Sequence, residues 1–342
     1  MTDTSTDTGA AAESPRRAVL ALARKSGLFV VLAVMIVGFW LAEPAFLGLN
    51  NLLSILQAVA VVAILGVGVT VTLSIGGFDL SVGSIAASAV MAASYAMVVW
   101  RFGAAETVVA VLVMGALIGL VNGFLIVRLG IPDLLATLAA MFLLAGLQLI
   151  PTGGRSITAG MILPGGITPP GAYDPAFLLI GRAHLWGVVP LPVAILAVVA
   201  VILWFFMEET RWGRVFYAIG GNETAAHLAG AATKRYRLAA YVISATLAAL
   251  GGLIVAARVG RGDVSSGASL LLDSVAASLI GFAVLDKRRP NVFGTVVGAI
   301  FVGLLLNGLT MLNAPYYTQD FVKGAVLAGA LALTYGLGRR SR

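Results

Sequence analysis

Residues 52–81 read LLSILQAVAVVAILGVGVTVTLSIGGFDLS, a long apolar run that ends in a glycine pair and an acid. A helix that crosses the hydrocarbon core of a bilayer needs about 20 predominantly apolar residues. The run is continuous and does not alternate with period two, so it predicts a membrane-spanning helix and not a strand of a barrel. Because two adjacent glycines hold a helix weakly, we expect a break at Gly76 and Gly77 and a second helix from about Ser81.

The rest of the chain has the same apolar character. Hydrophobic residues make up 60% of the 342 residues, charged residues make up 11%, and the mean hydropathy is +1.01. A soluble globular chain carries about 25% charged residues, so a soluble domain is excluded. We therefore expect an all-α integral membrane protein of about ten transmembrane helices. The predicted spans are 28–42, 52–74, 83–100, 107–127, 133–150, 188–207, 238–257, 271–285, 292–312 and 321–337.

The positions of Lys and Arg predict the orientation. Ten spans place both termini on one side, and sixteen of the 22 basic residues lie in segments on that side. Since basic residues concentrate in cytoplasmic loops, we expect a multi-pass protein of the cell inner membrane with both termini cytoplasmic. Residues 1–27 are then a disordered cytoplasmic tail, and 28–338 form the transmembrane domain. Within that domain 208–237 is cytoplasmic, and 151–187 is an external loop.

Two interpretations of the external loop stay open. Its glycine and proline content is typical of a mobile connection, and equally of a surface shaped for an external partner.

This sequence lacks the residues that several kinds of functional site require. There is no cysteine, and the two histidines, His184 and His227, lie in different polar segments, so we expect no metal site. No Gly-Lys dipeptide occurs, so the phosphate-binding loop of P-loop ATPases is missing. The net charge of +7 is explained by orientation, and nucleic-acid binding is not expected. These observations predict a non-catalytic chain that holds no cofactor of its own.

Two parts of the chain are similar to each other. Residues 78–88 (FDLSVGSIAAS) resemble 272–278 (LDSVAAS), and 119–123 (GLVNG) resemble 303–308 (GLLLNG). Spans two to five and seven to ten would then be two four-helix repeats. They enter the membrane from opposite sides, so the repeats would be inverted, as in many transporters. Chance similarity between segments rich in Ala and Leu is the alternative interpretation.

Five polar residues within or beside apolar spans are candidates for a substrate pathway: Asp79, Ser81, Asn122, Asp273 and Asn307. An ionised acid at membrane depth costs at least about 2.5–3.5 kcal/mol unless it is paired or hydrated. Asp79 and Asp273 would therefore either cap a helix start or line a polar pathway. Each asparagine would either bond to a neighbouring helix or contact a polar solute.

A polar segment at 220–230 (GGNETAAHLAG) lies between two long apolar runs and is flanked by five basic residues. A membrane protein has few polar segments that fold, so this one is a candidate docking surface for a partner.

Three motifs carry a family resemblance. They are GGFDLSVGS at 76–84, TRWGR at 210–214 followed by YAIGGNE at 217–223 with Ala225 and Ala226, and NGL at 307–309. With them, residues 45–337 resemble the permease subunit of binding-protein-dependent ABC importers of the ribose-type monosaccharide class.

The resemblance implies four kinds of partner: a cytoplasmic ATPase that binds the ATP, an external solute-binding protein, a second permease subunit, identical or not, and membrane lipid. It also implies that the polar segment is a coupling helix seated in the ATPase. The residues assigned to this coupling are Gly221, Asn222, Glu223, Ala225, Ala226 and Gly230.

The leading hypothesis is thus a permease subunit that imports a monosaccharide or a related sugar or polyol by alternating access. The alternative is a secondary transporter coupled to ions or protons, which inverted repeats also suit. That alternative would use Asp79 and Asp273 as buried acids, and it gives no reason for the polar segment.

Overall fold

The structure is a computed structural model that describes residues 30–284 and 289–338, and the predicted tail at 1–27 lies outside them. Thirteen α-helices account for most of the described chain. They are α1 Val30–Ala42, α2 Leu49–Ser74, α3 Val82–Val98, α4 Ala104–Val127, α5 Asp133–Leu147, α6 Pro175–Arg182, α7 Leu191–Trp204, α8 Arg211–Gly221, α9 Glu223–Leu228, α10 Thr233–Val259, α11 Gly267–Val284, α12 Val292–Met311 and α13 Tyr316–Gly338.

Shorter elements join some of these helices. Pro44–Leu47 and Ile150–Thr152 are 3₁₀ turns, and Phe205–Glu209 is a π-helical turn that continues α7. Two short antiparallel strands, β1 His184–Leu185 and β2 Val189–Pro190, form a hairpin before α7.

Six helical segments in the described ranges are long and apolar enough to cross a membrane: Leu49–Ser74, Ala104–Val127, Asp133–Thr152, Leu191–Glu209, Thr233–Val259 and Val292–Met311. Three shorter apolar helices accompany them, at Val30–Ala42, Val82–Val98 and Ser269–Phe282. The predicted class, an all-helical multi-pass membrane protein, is confirmed. Each of the ten predicted spans overlaps one of these helices or α13, but crossing by all ten stays a prediction.

Helices α2 and α10 lie at the centre of the bundle. In their most apolar stretches, 61% and 67% of the residues are buried, compared with 17% for α5. Helix α10 packs along α2, α3 and α4, and α2 packs along α10, α11 and α12. Contact between helices in lipid rests on close van der Waals packing, which small residues permit.

A row of glycines lets α4 and α10 pack closely. A Cβ atom at Gly119 would lie 2.5 Å from the Tyr241 carbonyl oxygen, and one at Gly123 would lie 2.5 Å from Leu238. Gly115 lies one turn earlier on the same face, and a Cβ atom there would lie 2.5 Å from the Ala249 methyl. This glycine stripe lets the two backbones approach each other directly.

The predicted break after the second span is confirmed. Helix α2 ends at Ser74, Gly76 adopts a left-handed conformation with φ +75°, and α3 begins at Val82. A Cβ atom at Gly77 would lie 2.5 Å from the Tyr241 hydroxyl and 2.7 Å from Asp133 Oδ2. The break therefore brings the chain against the starts of α5 and α10, where a side chain has no room.

The long segment between α5 and α7 packs onto one end of the bundle. Asp174 caps α6 by accepting from the Ala176 N–H at 2.8 Å, and it also accepts from the Ala104 N–H at 2.8 Å. Ile157 pairs with Gly262 in an isolated bridge, and the Gly171 N–H donates to the Val98 carbonyl. These contacts join the segment to the start of α4, the end of α3 and the turn after α10.

Candidate functional site

Three of the five predicted pathway residues meet at the break between α2 and α3. Asp79 is fully buried, and its Oδ1 accepts from the Ser81 N–H at 2.9 Å and from the Ser81 hydroxyl at 2.6 Å. Its Oδ2 accepts from the Ser244 hydroxyl of α10 at 3.0 Å. The Asn122 amide of α4 donates to the Ser81 hydroxyl at 2.9 Å. We call Asp79, Ser81, Asn122 and Ser244 the Asp79 cluster.

The Asp79 cluster joins three helices by hydrogen bonds. Asp79 holds the turn that leads into α3, because Ser81 is the residue just before that helix. Asn122 makes a bond between helices, one of the two roles expected for it. Its Oδ1 is buried and has no partner within the described part of the chain. A pathway role for these residues remains a prediction.

The other two predicted residues lie elsewhere. Asp273 is in the second turn of α11, so it does not cap that helix, and its Oδ1 is 3.0 Å from the Lys323 ammonium of α13. Asn307 exchanges two hydrogen bonds of 2.9 Å with Asn51 of α2. Both residues therefore bond to a neighbouring helix.

Asp273 and Asn307 line one cavity of about 200 Å³ between α2, α11 and α12, together with Ser54 and Thr310. Ligand pockets commonly have volumes of about 300–1,000 Å³, so this cavity is small. The cavity lies along residues 54–62 of α2, whereas Ser244 of the Asp79 cluster packs against Gly68 of α2. The structure therefore places the five predicted residues in two separate groups.

The polar segment at 220–230 holds the end of α8 and all of α9. Thr210 caps α8 by accepting from the Gly213 N–H at 3.2 Å, and Asn222 caps α9 by accepting from the Ala225 N–H at 2.9 Å. A Cβ atom at Gly220 would overlap the carbonyl oxygen of Ser74, so α8 rests directly on the end of α2. We call the end of the bundle that carries α8 and α9 the α9 end.

The six residues assigned to coupling differ in exposure. Gly221, Asn222, Ala225 and Gly230 are exposed, and Glu223 is partly exposed. Ala226 is 7% exposed and packs in the core, so a substitution there would disturb the seating of α9 before it reached a partner. Leu228, which the sequence did not single out, is 82% exposed.

One arginine connects α9 to α5. Arg237, in the first turns of α10, donates from Nη1 to Glu223 Oε2 at 2.7 Å and from Nη2 to Asp133 Oδ1 at 2.8 Å. The other oxygen of Asp133 lies beside the Tyr241 hydroxyl, next to Gly77 in the break. The ion pairs of Arg237 therefore link α9 to the start of α5, which packs against Gly77 in the break.

A second arginine connects α8 to the start of α12. The Arg289 guanidinium is 2.7 Å from Glu208 Oε2 and lies 4.4 Å above the Tyr217 ring. The Tyr217 hydroxyl donates to the Pro290 carbonyl at 2.9 Å, and its burial raises the pKa of Tyr217. Asn291 then caps α12 by accepting from the Gly294 N–H at 2.6 Å. Helices α2 and α10 thus meet α8 or α9 directly, α5 is linked to α9 through Arg237, and Tyr217 of α8 bonds to Pro290 just before α12.

Residues 51–331 match a protein family described as the permease component of a branched-chain amino acid transport system. The chain belongs to this permease family. The permease is also 33% identical over 315 residues to a ribose import permease protein of Haemophilus influenzae, covering 91% of this chain and 93% of that protein.

Two further relatives are also permeases for a particular sugar. This permease is 34% identical over 314 residues to a ribose import permease protein of Bacillus subtilis, covering 91% of this chain and 92% of that one. It is 29% identical over 358 residues to a xylose transport system permease protein of Escherichia coli, with 91% of each chain covered. The predicted resemblance is confirmed. No solved structure matches the chain.

The permease has polar contacts that its sequence did not indicate. Ser244, Tyr241 and Asn51 lie within apolar runs and carry no motif, and Asp133 and Arg237 look like ordinary charges at span ends. Among them, Arg237 alone had a sequence feature that could have marked it: it belongs to the basic group, with Lys234 and Arg235, that follows the polar segment. Within 30–284 and 289–338, no group of three or more His, Asp and Glu side chains is placed to hold a metal ion.

Proposed function

We propose that this permease is the membrane subunit of an ABC importer for a monosaccharide or a related sugar or polyol. The relatives named above are ribose and xylose permeases that align over most of their length, which supports a sugar as the substrate class. The chain has no phosphate-binding loop, so a separate ATPase would bind and hydrolyse the ATP, and the permease itself would need no cofactor.

The observation that carries this proposal is the placement of α9. Its exposed face, with Leu228 at the end, belongs to the unit formed by α8 and α9: α8 rests on the end of α2 and bonds to Pro290 before α12, and Arg237 of α10 links α9 to α5. A partner that moves α9 would act on several spans at once. We propose that α9 is the coupling helix, that the ATPase docks on it, and that its movement alternates the access of the transport pathway.

The orientation and the other partners belong to the same proposal. The α9 end would face the cytoplasm of a cell inner membrane, with both termini there, because most Lys and Arg residues lie in the segments of that side. The opposite end, which includes 151–187, would then meet the external solute-binding protein. A second permease subunit, identical or not, would complete the pathway.

Inverted repeats remain part of the proposal. Helix α10 packs on α3 and α4 of the first half, and α2 packs on α11 and α12 of the second half. The first helix of each half thus packs on helices of the other half, as two four-helix repeats related by a two-fold axis would do. This packing supports a total of ten membrane-spanning helices.

The contacts of the buried acids count against the ion-coupled alternative. Asp79 accepts three hydrogen bonds from Ser81 and Ser244, and Asp273 is paired with Lys323. A carrier acid must release its partners to take up a cation or a proton. Both carboxylates already have protein partners, and the alternative still gives no role to α9.

The test is co-purification and transport with the partner ATPase. We expect Leu228→Asp to abolish co-purification and ATP-driven uptake, because a charge replaces an apolar contact. Ile167→Asp is the matched control: Ile167 is 65% exposed in the segment at the opposite end, and its variant should keep the ATPase. Uptake in proteoliposomes that also contain the binding protein would be measured for ribose, xylose and leucine.

Three outcomes would count against the proposal. Normal ATPase binding by Leu228→Asp would remove α9 as the docking site. ATP-driven uptake of leucine without sugar uptake would favour the amino acid substrates of the family description. Uptake driven by an ion gradient without any ATPase would support the secondary transporter.

A further inference from the structure

We propose that Arg237 is a positioning residue that transmits the movement of α9 to α5 and to the break between α2 and α3. The inference rests on the proposed function, since it needs α9 to be the element that the ATPase moves. It gives Arg237, which is not among the six residues assigned to coupling, the separate task of passing the movement of α9 into the bundle.

The geometry of the Arg237 contact is the first argument. One guanidinium holds two carboxylates on two different elements, Glu223 on α9 and Asp133 at the first residue of α5. The planar fork of arginine suits such a bridge, because its nitrogens point in fixed directions. A lysine would offer one flexible ammonium in place of two oriented nitrogens.

The burial of the bridge is the second argument. The Arg237 and Asp133 side chains are 23% and 16% exposed, whereas Glu223 is 43% exposed. Partly buried pairs are screened less by salt than surface pairs, so the Asp133 contact is the more persistent of the two. If both contacts persist while the ATPase moves α9, the bridge carries that movement to α5.

The packing of α5 is the third argument. Only 17% of its apolar stretch is buried, and it packs mainly on α3 and α4. A helix with few packed contacts can shift at low cost. At its start the helix touches the break, where Asp133 lies beside Gly77 and the Thr137 hydroxyl donates to the Phe78 carbonyl at 3.4 Å. Phe78 directly precedes Asp79, so a shift of α5 reaches the Asp79 cluster.

The experiment measures how much sugar is moved per ATP hydrolysed in the full complex of permease, ATPase and binding protein in proteoliposomes. For Arg237→Met we expect assembly with the ATPase to persist and the ratio of uptake to ATP turnover to fall at least about fivefold, the lower range of allosteric coupling. Arg237→Lys should be intermediate. Arg235→Met removes an exposed arginine two residues away and should keep the wild-type ratio.

A second measurement tests the same link as a distance in the assembled complex. The chain has no cysteine, so spin labels at Leu135→Cys in α5 and Ala229→Cys after α9 report one distance. With Arg237 present, we expect that distance to stay constant between the nucleotide-free and ATP-bound complexes. In Arg237→Lys it should change between the two states.

The inference is overturned if a folded Arg237→Met complex keeps the wild-type ratio, or if the labelled distance in the Arg237 protein changes between nucleotide states. The failure of the proposed function looks different. In that case the wild-type permease itself would fail to bind the ATPase or to show ATP-driven uptake.

Discussion

Gly220 and Gly221 are adjacent in the last turn of α8, yet their surroundings differ. A Cβ atom at Gly220 would overlap the Ser74 carbonyl oxygen and lie 3.0 Å from its carbon and 3.2 Å from the Gly76 nitrogen. A Cβ atom at Gly221 would meet nothing within 4 Å. We therefore predict that Gly220→Ala separates α8 from α2, whereas Gly221→Ala leaves the fold intact.

The magnitude follows from two opposing effects. Alanine is better than glycine within a helix by up to about 1 kcal/mol, and both variants gain this because they share one turn. Only Gly220→Ala is overpacked, and overpacking typically costs about 1–3 kcal/mol. The obstacle is backbone of Ser74 and Gly76, so no side-chain rotation can relieve it. Since the helix gain cancels, Gly220→Ala should be less stable than Gly221→Ala by about 1–3 kcal/mol.

The assay is the free energy of unfolding of the two purified variants and the wild type, titrated with denaturing detergent and followed by tryptophan fluorescence. Equal stability of the two variants would refute the reasoning, because it would mean that α8 does not rest on the end of α2. Lower stability of Gly221→Ala alone would refute it as well. Transport by Gly220→Ala should fall together with its stability.

Three other predictions follow. Asn307→Leu should cost about 0.6–1.7 kcal/mol, the range for polar contacts between membrane helices, and adding Asn51→Leu should restore part of the loss because neither amide is then unpaired. Gly119→Ala should lower the thermal midpoint, while Gly146→Ala, whose Cβ would meet nothing within 4 Å, should not. Burial raises the pKa of Tyr173 from 10.0 to about 12, so its neutral form stabilises the fold below pH 10. That stability should be lost as the pH rises to about 12, and Tyr173→Phe should lose less in alkaline unfolding.

The break after α2 shows what local sequence can predict about this protein. The end of α2 and the start of α3 lie within residues 74–82, where Gly76 takes a positive φ and Asp79 accepts from the Ser81 N–H. The glycine pair alone does not decide the break, because Gly251 and Gly252 lie inside α10 without ending it. The helical nature of the polar segment is equally local, since Asn222 caps α9 within its own turn.

The candidate site was predictable only in part. Asp79 and Ser81 are two residues apart and their contact is local, whereas Ser244 reaches Asp79 across 165 positions. The five residues could line one substrate pathway only if their helices were neighbours, and the sequence does not show which helices are neighbours. Asp273 and Asn307 instead line a cavity between α2, α11 and α12 whose lining does not include Asp79.

The sequence by itself determined that this protein is a multi-pass helical membrane protein, because partition into lipid depends on the composition of each segment. It also located the polar segment and the family motifs. Only the tertiary structure decided which polar groups meet. Arg237 and Asp133 are 104 positions apart, and no local pattern marks them as partners. Their contact exists because the packing of α10 and α5 around the break brings two charges together where water is partly excluded.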